Sequence, residues 1–283
     1  MKFRAPRLLT ALLKLKLLFT LLIAIPASGY AEQKKPTAQC PAGTSHVIQF
    51  QKNSIFGDIF VVDSNAKRHL RFGNACGADQ SSIDLDEPDR IIMEYVRNAA
   101  LSLAYAKHRK SVLIVGMGGG VFSNMLAKQL PDIEIDAIEI DPVVVEVAKT
   151  FFKTTATPRY RIHIQDAAEY ISKTDKHYDI ILLDAYGSDG IPEHLATKSF
   201  FKQVASRLNP DGVVVANFGL DSPRVYLQLA ERLRTSVGEA RCLHGEEESN
   251  LVVIAAGANV INKTDPITTK FDSSSPCKHR ASP

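Results

Sequence analysis

A marked excess of either charge is missing from this chain. Its 34 lysines and arginines stand against 31 acidic residues, a net +3. Part of that surplus sits at the extreme N-terminus, in Lys2, Arg4, Arg7, Lys14 and Lys16. Composition therefore gives no basis for a nucleic-acid partner. Cysteine is scarce, at four residues, and no CxxC pair occurs, so the usual spacing of a structural metal site is absent. The eight histidines are scattered without ligand spacing; His163 on a strand and His194 in a loop read as structural. Ser123 and Ser188 have no evident His and Asp companions, so a hydrolase triad is not indicated. No internal repeat occurs.

Also missing is an apolar run of the ~20 residues that a membrane-spanning helix needs. What stands at the N-terminus has the order of a signal peptide instead: a basic stretch to Lys16, an apolar run from Leu17 to Ile25, the breaker Pro26, then small residues at Gly29 and Ala31. Cleavage gives a signal peptide over 1–31 and no stable membrane span. An uncleaved anchor would keep its basic residues inside and still send the body of the protein outward. Both versions predict export, to the periplasm or beyond. In such an oxidising compartment an even number of cysteines suits disulfides. Cys40 with Cys76 and Cys242 with Cys277 is the first of three possible connectivities, buried free thiols being the alternative.

Residues 32–45, polar and carrying Pro36 and Pro41, read as a linker. Over 46–107, three short strands (His46–Gln51, Asp58–Val62, Arg68–Phe72) alternate with turn residues. A polar, acidic loop from Ser81 to Asp89 and a helix from Arg90 to Lys107 follow. From 108 to 261 strands and helices alternate with short links, which predicts a parallel, doubly wound α/β sheet of the Rossmann-like type. Its last two strands, Ala240–His244 and Leu251–Ala256, have no helix between them. They suggest the antiparallel edge that separates methyltransferase-type sheets from dinucleotide-type ones. The tail 262–283, rich in Ser, Thr and Pro, has a disordered composition.

Ligands of such sheets bind in the crevice at the carboxyl ends of the strands. Four segments end there. Gly116-Met117-Gly118-Gly119-Gly120 lets the backbone approach a ligand, although close strand–helix packing also demands glycine. Glu139 in Glu139-Ile140-Asp141 lies about twenty positions further on, where an acid can accept both ribose hydroxyls; a solvated strand-end charge is the plainer account. Asp166 can cap the helix after the third strand, or accept from an adenine amino group, or do both. Asp184 closes an apolar strand before Ala185-Tyr186-Gly187-Ser188-Asp189-Gly190-Ile191-Pro192. A carboxylate in that position can hold an amine and take its proton.

These segments, in this order, resemble the spermidine synthase (polyamine aminopropyltransferase) family. The likeness runs from about Ser54 to Phe218 and includes the small β unit, with Ser54-Ile55-Phe56-Gly57-Asp58 before Val61-Val62-Asp63. The stretch Asp184 to Leu195 is most similar to a bacterial spermidine-synthase-like branch. The resemblance implies aminopropyl transfer from decarboxylated S-adenosylmethionine to a diamine such as putrescine, without a metal. Gly116, Gly118, Gly119, Glu139 and Asp166 then hold the nucleoside, Asp184 is the base, and Asp189, Tyr186 and Tyr95 surround the amine. A homodimer is compatible with this. Two positions depart from the pattern: Gly119 stands where the family has an aspartate for the donor's amino group, and Gly187 where it has a second aspartate in the substrate loop, with Asp189 two residues on. Two other readings follow from these departures: methyl transfer from intact S-adenosylmethionine, and an exported, non-catalytic binder of polyamine or nucleoside.

Overall fold

The computed structural model describes residues 37–40, 45–186, 190–219, 223–244 and 250–261. The expected signal peptide, the expected tail, Cys277 and the loop residues Gly187, Ser188 and Asp189 lie outside this set. Among the described residues no helix is long and apolar enough to cross a membrane.

Five strands form an antiparallel meander in chain order: β1 (Thr37–Gln39), β2 (Ser45–Ser54), β3 (Gly57–Ser64), β4 (Lys67–Phe72) and β5 (Asp79–Asp84). The β3–β4 turn places Asn65 and Ala66 at φ 51° and 57°, the left-handed pair that matches the twist of a two-residue hairpin. Strand β3 is buried on both faces. Ile59 and Val61 meet Val143, Val144, Val147 and Phe152 of the next domain, while Phe60 and Val62 pack toward Ala75 and Ile48.

Two expectations are corrected in this region. The linker contains β1, which pairs with β2 and is followed by the Cys40–Cys76 disulfide. The first half of the acidic loop belongs to β5, whose pattern carries a single aliphatic residue, Ile83. What holds β5 is polar: Ser82 Oγ donates to Asp79 (3.0 Å) and meets His69 Nδ1 (2.9 Å), and Arg71 Nε donates to Asp79 at 2.7 Å. Hydrophobic periodicity is blind to a strand of that kind. Met93 accepts a hydrogen bond from the Ser82 N–H and stays extended. The helix therefore starts later than expected, as α1 (Glu94–Ala100) and α2 (Ser102–Tyr105).

The second sheet has seven strands: β6 (Ser111–Val115), β7 (Glu134–Glu139), β8 (Tyr160–Ile164), β9 (Tyr178–Leu183), β10 (Leu208–Gly219), β11 (Glu239–His244) and β12 (Asn250–Ala256). They lie in the order β11-β12-β10-β9-β6-β7-β8. β6 to β10 are parallel, and β12 runs antiparallel to both β10 and β11. The antiparallel edge expected from the missing helix is present. Between the strands come α3 (Val121–Gln129), α4 (Pro142–Phe151), α5 (Ala167–Lys173), α6 (Lys198–Ser206) and α7 (Pro223–Val237). Strand β9 is buried along its whole length because both faces are covered. Ile180 and Leu182 serve one core, Ile181 and Leu183 the other.

At the β8 edge, buried Asp136 gathers Arg161 (2.8 Å), His163 (2.8 Å), Lys176 (2.9 Å) and the Tyr178 hydroxyl (3.1 Å). Burial opposes its ionisation most strongly, yet Arg161, His163 and Lys176 together hold the carboxyl well below the usual range. His163 thus has the structural part its sequence position suggested.

Candidate active site

The carboxyl ends of β6, β7, β9 and β10 meet around the glycine turn. Gly116 has φ +86°, and a Cβ there would lie 2.2 Å from the Asp184 carbonyl oxygen; no other residue fits. The Asp184 N–H in turn donates to Val115 at 2.7 Å. Every N–H of the turn is used internally. Gly116 donates to Ile138 (3.0 Å), Met117 and Gly118 to Glu139 Oε2 (3.2 and 3.1 Å), Gly119 to Ser81 Oγ (2.8 Å), and Gly120 to Met117 (2.9 Å). A phosphate-binding turn needs such N–H groups free to face an anion. This turn offers no anion site and stands as a backbone wall of the cleft instead.

Glu139 is buried, and its other oxygen accepts from the Asp141 N–H at 3.1 Å. Burial pushes its pKa up; the three N–H donors counter this, and the Asp141 charge adds to it. A carboxylate has about four acceptor positions, so a hydroxyl donor can still be received. Beside it, Ile140 and Ile164 expose apolar side chains at the ends of β7 and β8, a surface suited to a flat ring.

Asp166 does cap α5, accepting from Glu169 N–H at 2.9 Å, and its second oxygen meets His194 Nε2 at 2.8 Å. Its partial burial acts upward, but the cap and His194 outweigh it and lower the pKa. Position 119 is closed to any side chain: a Cβ there would stand 2.9 Å from both the Phe152 ring and Ser81 Cβ.

Asp184 follows β9 directly. Its Oδ1 accepts from Asn217 Nδ2 at 2.8 Å, and the Tyr95 hydroxyl of α1 also bonds the carboxyl. Desolvation pushes its pKa up to about 7, against the two donors and with a further upward push from Glu139. Tyr95 is raised as well, first by burial and then by the Asp184 charge. Tyr186 has its hydroxyl on the backbone of β10, donating to the Asn217 carbonyl (2.7 Å) and accepting from Gly219 N–H. It pins the loop after Asp184 to the neighbouring strand.

The structure thus brings Gly116, Gly118, Glu139, Asp184 and Tyr95 together at one cleft, with Gly119 packed behind it and Asp166 at its far end. Asp189 lies outside the described residues. Sequence reasoning missed Ser81, Asn217 and Asn250, and it read His194 as structural without placing it beside Asp166. Asn217 had a readable signal, a polar residue near the end of the apolar run Val213–Phe218. Ser81 had none, because its strand was not legible.

Residues 93–242, more than half of the chain, match the family described as Spermine/spermidine synthase domain. The chain belongs to this family. A curated relative, the polyamine aminopropyltransferase of Vibrio vulnificus, is 32% identical over 227 residues, covering 78% of this chain and 75% of that one. Spermidine synthase from Thermotoga maritima shares the fold at a TM-score of 0.62 and 20% identity, over 81% of this chain and 78% of that chain. Human methyltransferase-like protein 13, solved in complex with SAH, aligns at 0.55 and 24% identity over 58% and 82%. The methyltransferase-like fold is shared with solved spermidine synthases, and the curated bacterial relatives are named polyamine aminopropyltransferases.

The buried Asp184 has a stability consequence. In an unfolded chain an aspartate titrates near ~3.9, whereas the folded group titrates at about 7. Between those values the unfolded chain releases a proton that the folded one keeps, so the fold loses stability as pH rises through this window. Asp184→Asn removes that penalty. It should raise the melting temperature by ~5 °C or more at pH 8.5 and by about a third as much at pH 5. Calorimetric scans at the two pH values check this; a loss of stability at both contradicts it.

Proposed function

We propose that this protein transfers an aminopropyl group from decarboxylated S-adenosylmethionine to a primary amine of the polyamine class, putrescine being the simplest candidate. The observation that carries this reading is the Asp184 carboxyl, set at the strand end between Asn217 and Tyr95 with a proton affinity poised near neutrality. An ammonium must lose a proton before its nitrogen can attack the carbon beside a sulfonium. An ionised Asp184 first pairs with the cation and then takes the proton. The amine nitrogen then forms its bond to the aminopropyl carbon, the carbon–sulfur bond breaks, and methylthioadenosine leaves. Glu139 receives a ribose hydroxyl, Ile140 and Ile164 flank the adenine, and Asp166 receives its amino group in exchange for His194. The kinship with polyamine aminopropyltransferases supports the same assignment.

Methyl transfer from intact S-adenosylmethionine is the second reading. Its support is specific: position 119 carries no carboxylate for the donor's amino group and has no room for one.

We also propose that the protein acts outside the cytoplasm. The basic, apolar and small-residue order of the first 31 residues supports this, and so does the Cys40–Cys76 disulfide, a bond that persists in oxidising compartments. N-terminal sequencing of protein from the extracytoplasmic fraction should find a chain that starts near Glu32; a cytosolic chain that retains Met1 contradicts this.

General base catalysis contributes roughly 10²–10⁴-fold. Asp184→Asn should therefore lower turnover with decarboxylated donor and putrescine by about that factor, with methylthioadenosine release as the readout. Equal turnover in both proteins removes Asp184 as the base.

A further inference from the structure

Asn217 lies on β10 and is almost fully buried, at 4% exposure. Both polar atoms of its amide are engaged. Nδ2 donates to Asp184 Oδ1 at 2.8 Å, and Oδ1 accepts from Asn250 Nδ2 of β12 at 3.0 Å. Its backbone carbonyl accepts from Tyr186, two residues after Asp184. The two side-chain bonds are directional. An ionised carboxylate can only accept, so the amide must present its nitrogen to Asp184. Asn250, donating from the opposite side, holds the amide that way round. Were the amide reversed, its oxygen would face the carboxylate, and an N–H donor would face an N–H donor.

We propose that Asn217, locked by Asn250, is the positioning residue that fixes the orientation and proton affinity of Asp184, which makes the antiparallel edge strand β12 part of the base apparatus. The inference rests on the proposed role of Asp184 for its catalytic meaning, although its physical content does not need turnover. Among the described residues, the other titratable groups acting on Asp184 are Tyr95 from α1 and Glu139 from the end of β7; Tyr186 acts on Tyr95. Tyr95 and Asn217 favour the ionised carboxylate, whereas Glu139 disfavours it. Asn217 is the one of these that carries no charge in any state, so removing it deletes a donor without altering the charge of the site.

The test uses the full chain with ¹³C-labelled aspartate, following the Asp184 carboxyl by NMR titration and identifying its signal through Asp184→Asn. In Asn217→Ala the midpoint should rise by about one pH unit, as expected when a hydrogen bond to an ionised group is lost. The pH profile of kcat/KM for transfer to putrescine should move with it. The loss is then roughly fivefold at pH 7 and less than about twofold at pH 9. Asn250→Asp leaves Asn217 in place but turns the Asn250 donor into an acceptor, which reverses the amide; its midpoint should rise too. An unmoved midpoint in folded Asn217→Ala, or in Asn250→Asp where the alanine variant does not fold, overturns the proposal. So does a kcat/KM that falls equally at every pH, since a merely structural role acts that way. A shifted midpoint with no product from any amine upholds the Asn217 assignment and removes only the transfer reading.

Discussion

The contact on which the cleft depends is that between Gly116 and the backbone of Asp184. Strands β6 and β9 lie side by side, and the chain leaving β6 passes so close to the Asp184 carbonyl that a methyl group would overlap it. This approach does two things. It aims the glycine turn across the top of the sheet, and it fixes the main chain of the residue proposed as the base. Asp184 is then held at its backbone by Val115 and at its carboxyl by Asn217 and Tyr95. A carboxylate attached at both ends keeps its orientation without help from a ligand.

The same turn leaves no N–H free for a phosphate. Its N–H groups are consumed by Glu139, Ser81 and the turn itself. The small N-terminal sheet is therefore more than an appendage. Ser81 on β5 satisfies Gly119, and together with Phe152 it fills the space where a side chain at 119 would go. The two sheets also share an apolar contact between β3 and α4, reinforced by Lys52 with Glu146 and by the Arg68 guanidinium over the Phe151 ring. Placing a carboxylate at position 119 would require both Ser81 and Phe152 to move, so the pattern that the family resemblance implies does not fit at this position.

Much of this was legible in the residues. Strands buried on both faces announce themselves as apolar runs, as in Val112–Val115 and Tyr178–Leu183, and polar residues that close such runs mark the cleft, as Glu139 and Asp184 do. The strand pair without an intervening helix gave the antiparallel edge. Polar order was not legible. Strand β5 is held by a network of His69, Arg71, Asp79 and Ser82 that has no periodicity, and β1 is three residues long. The Asn217–Asn250 pair joins positions 33 residues apart in sequence, and nothing local announces such a bond. Tyr186 looked like a substrate contact because it sits in the substrate loop; its hydroxyl instead faces backbone that only the folded sheet brings near.

The central claim is that a nucleoside sulfonium and an amine react beside Asp184 with loss of the aminopropyl group. Mass spectrometry of the nucleoside released from a mixture of S-adenosylmethionine, its decarboxylated form and putrescine tests it most directly. The account predicts methylthioadenosine, formed in equal amount with an aminopropylated amine. Release of S-adenosylhomocysteine with a methylated amine would contradict it.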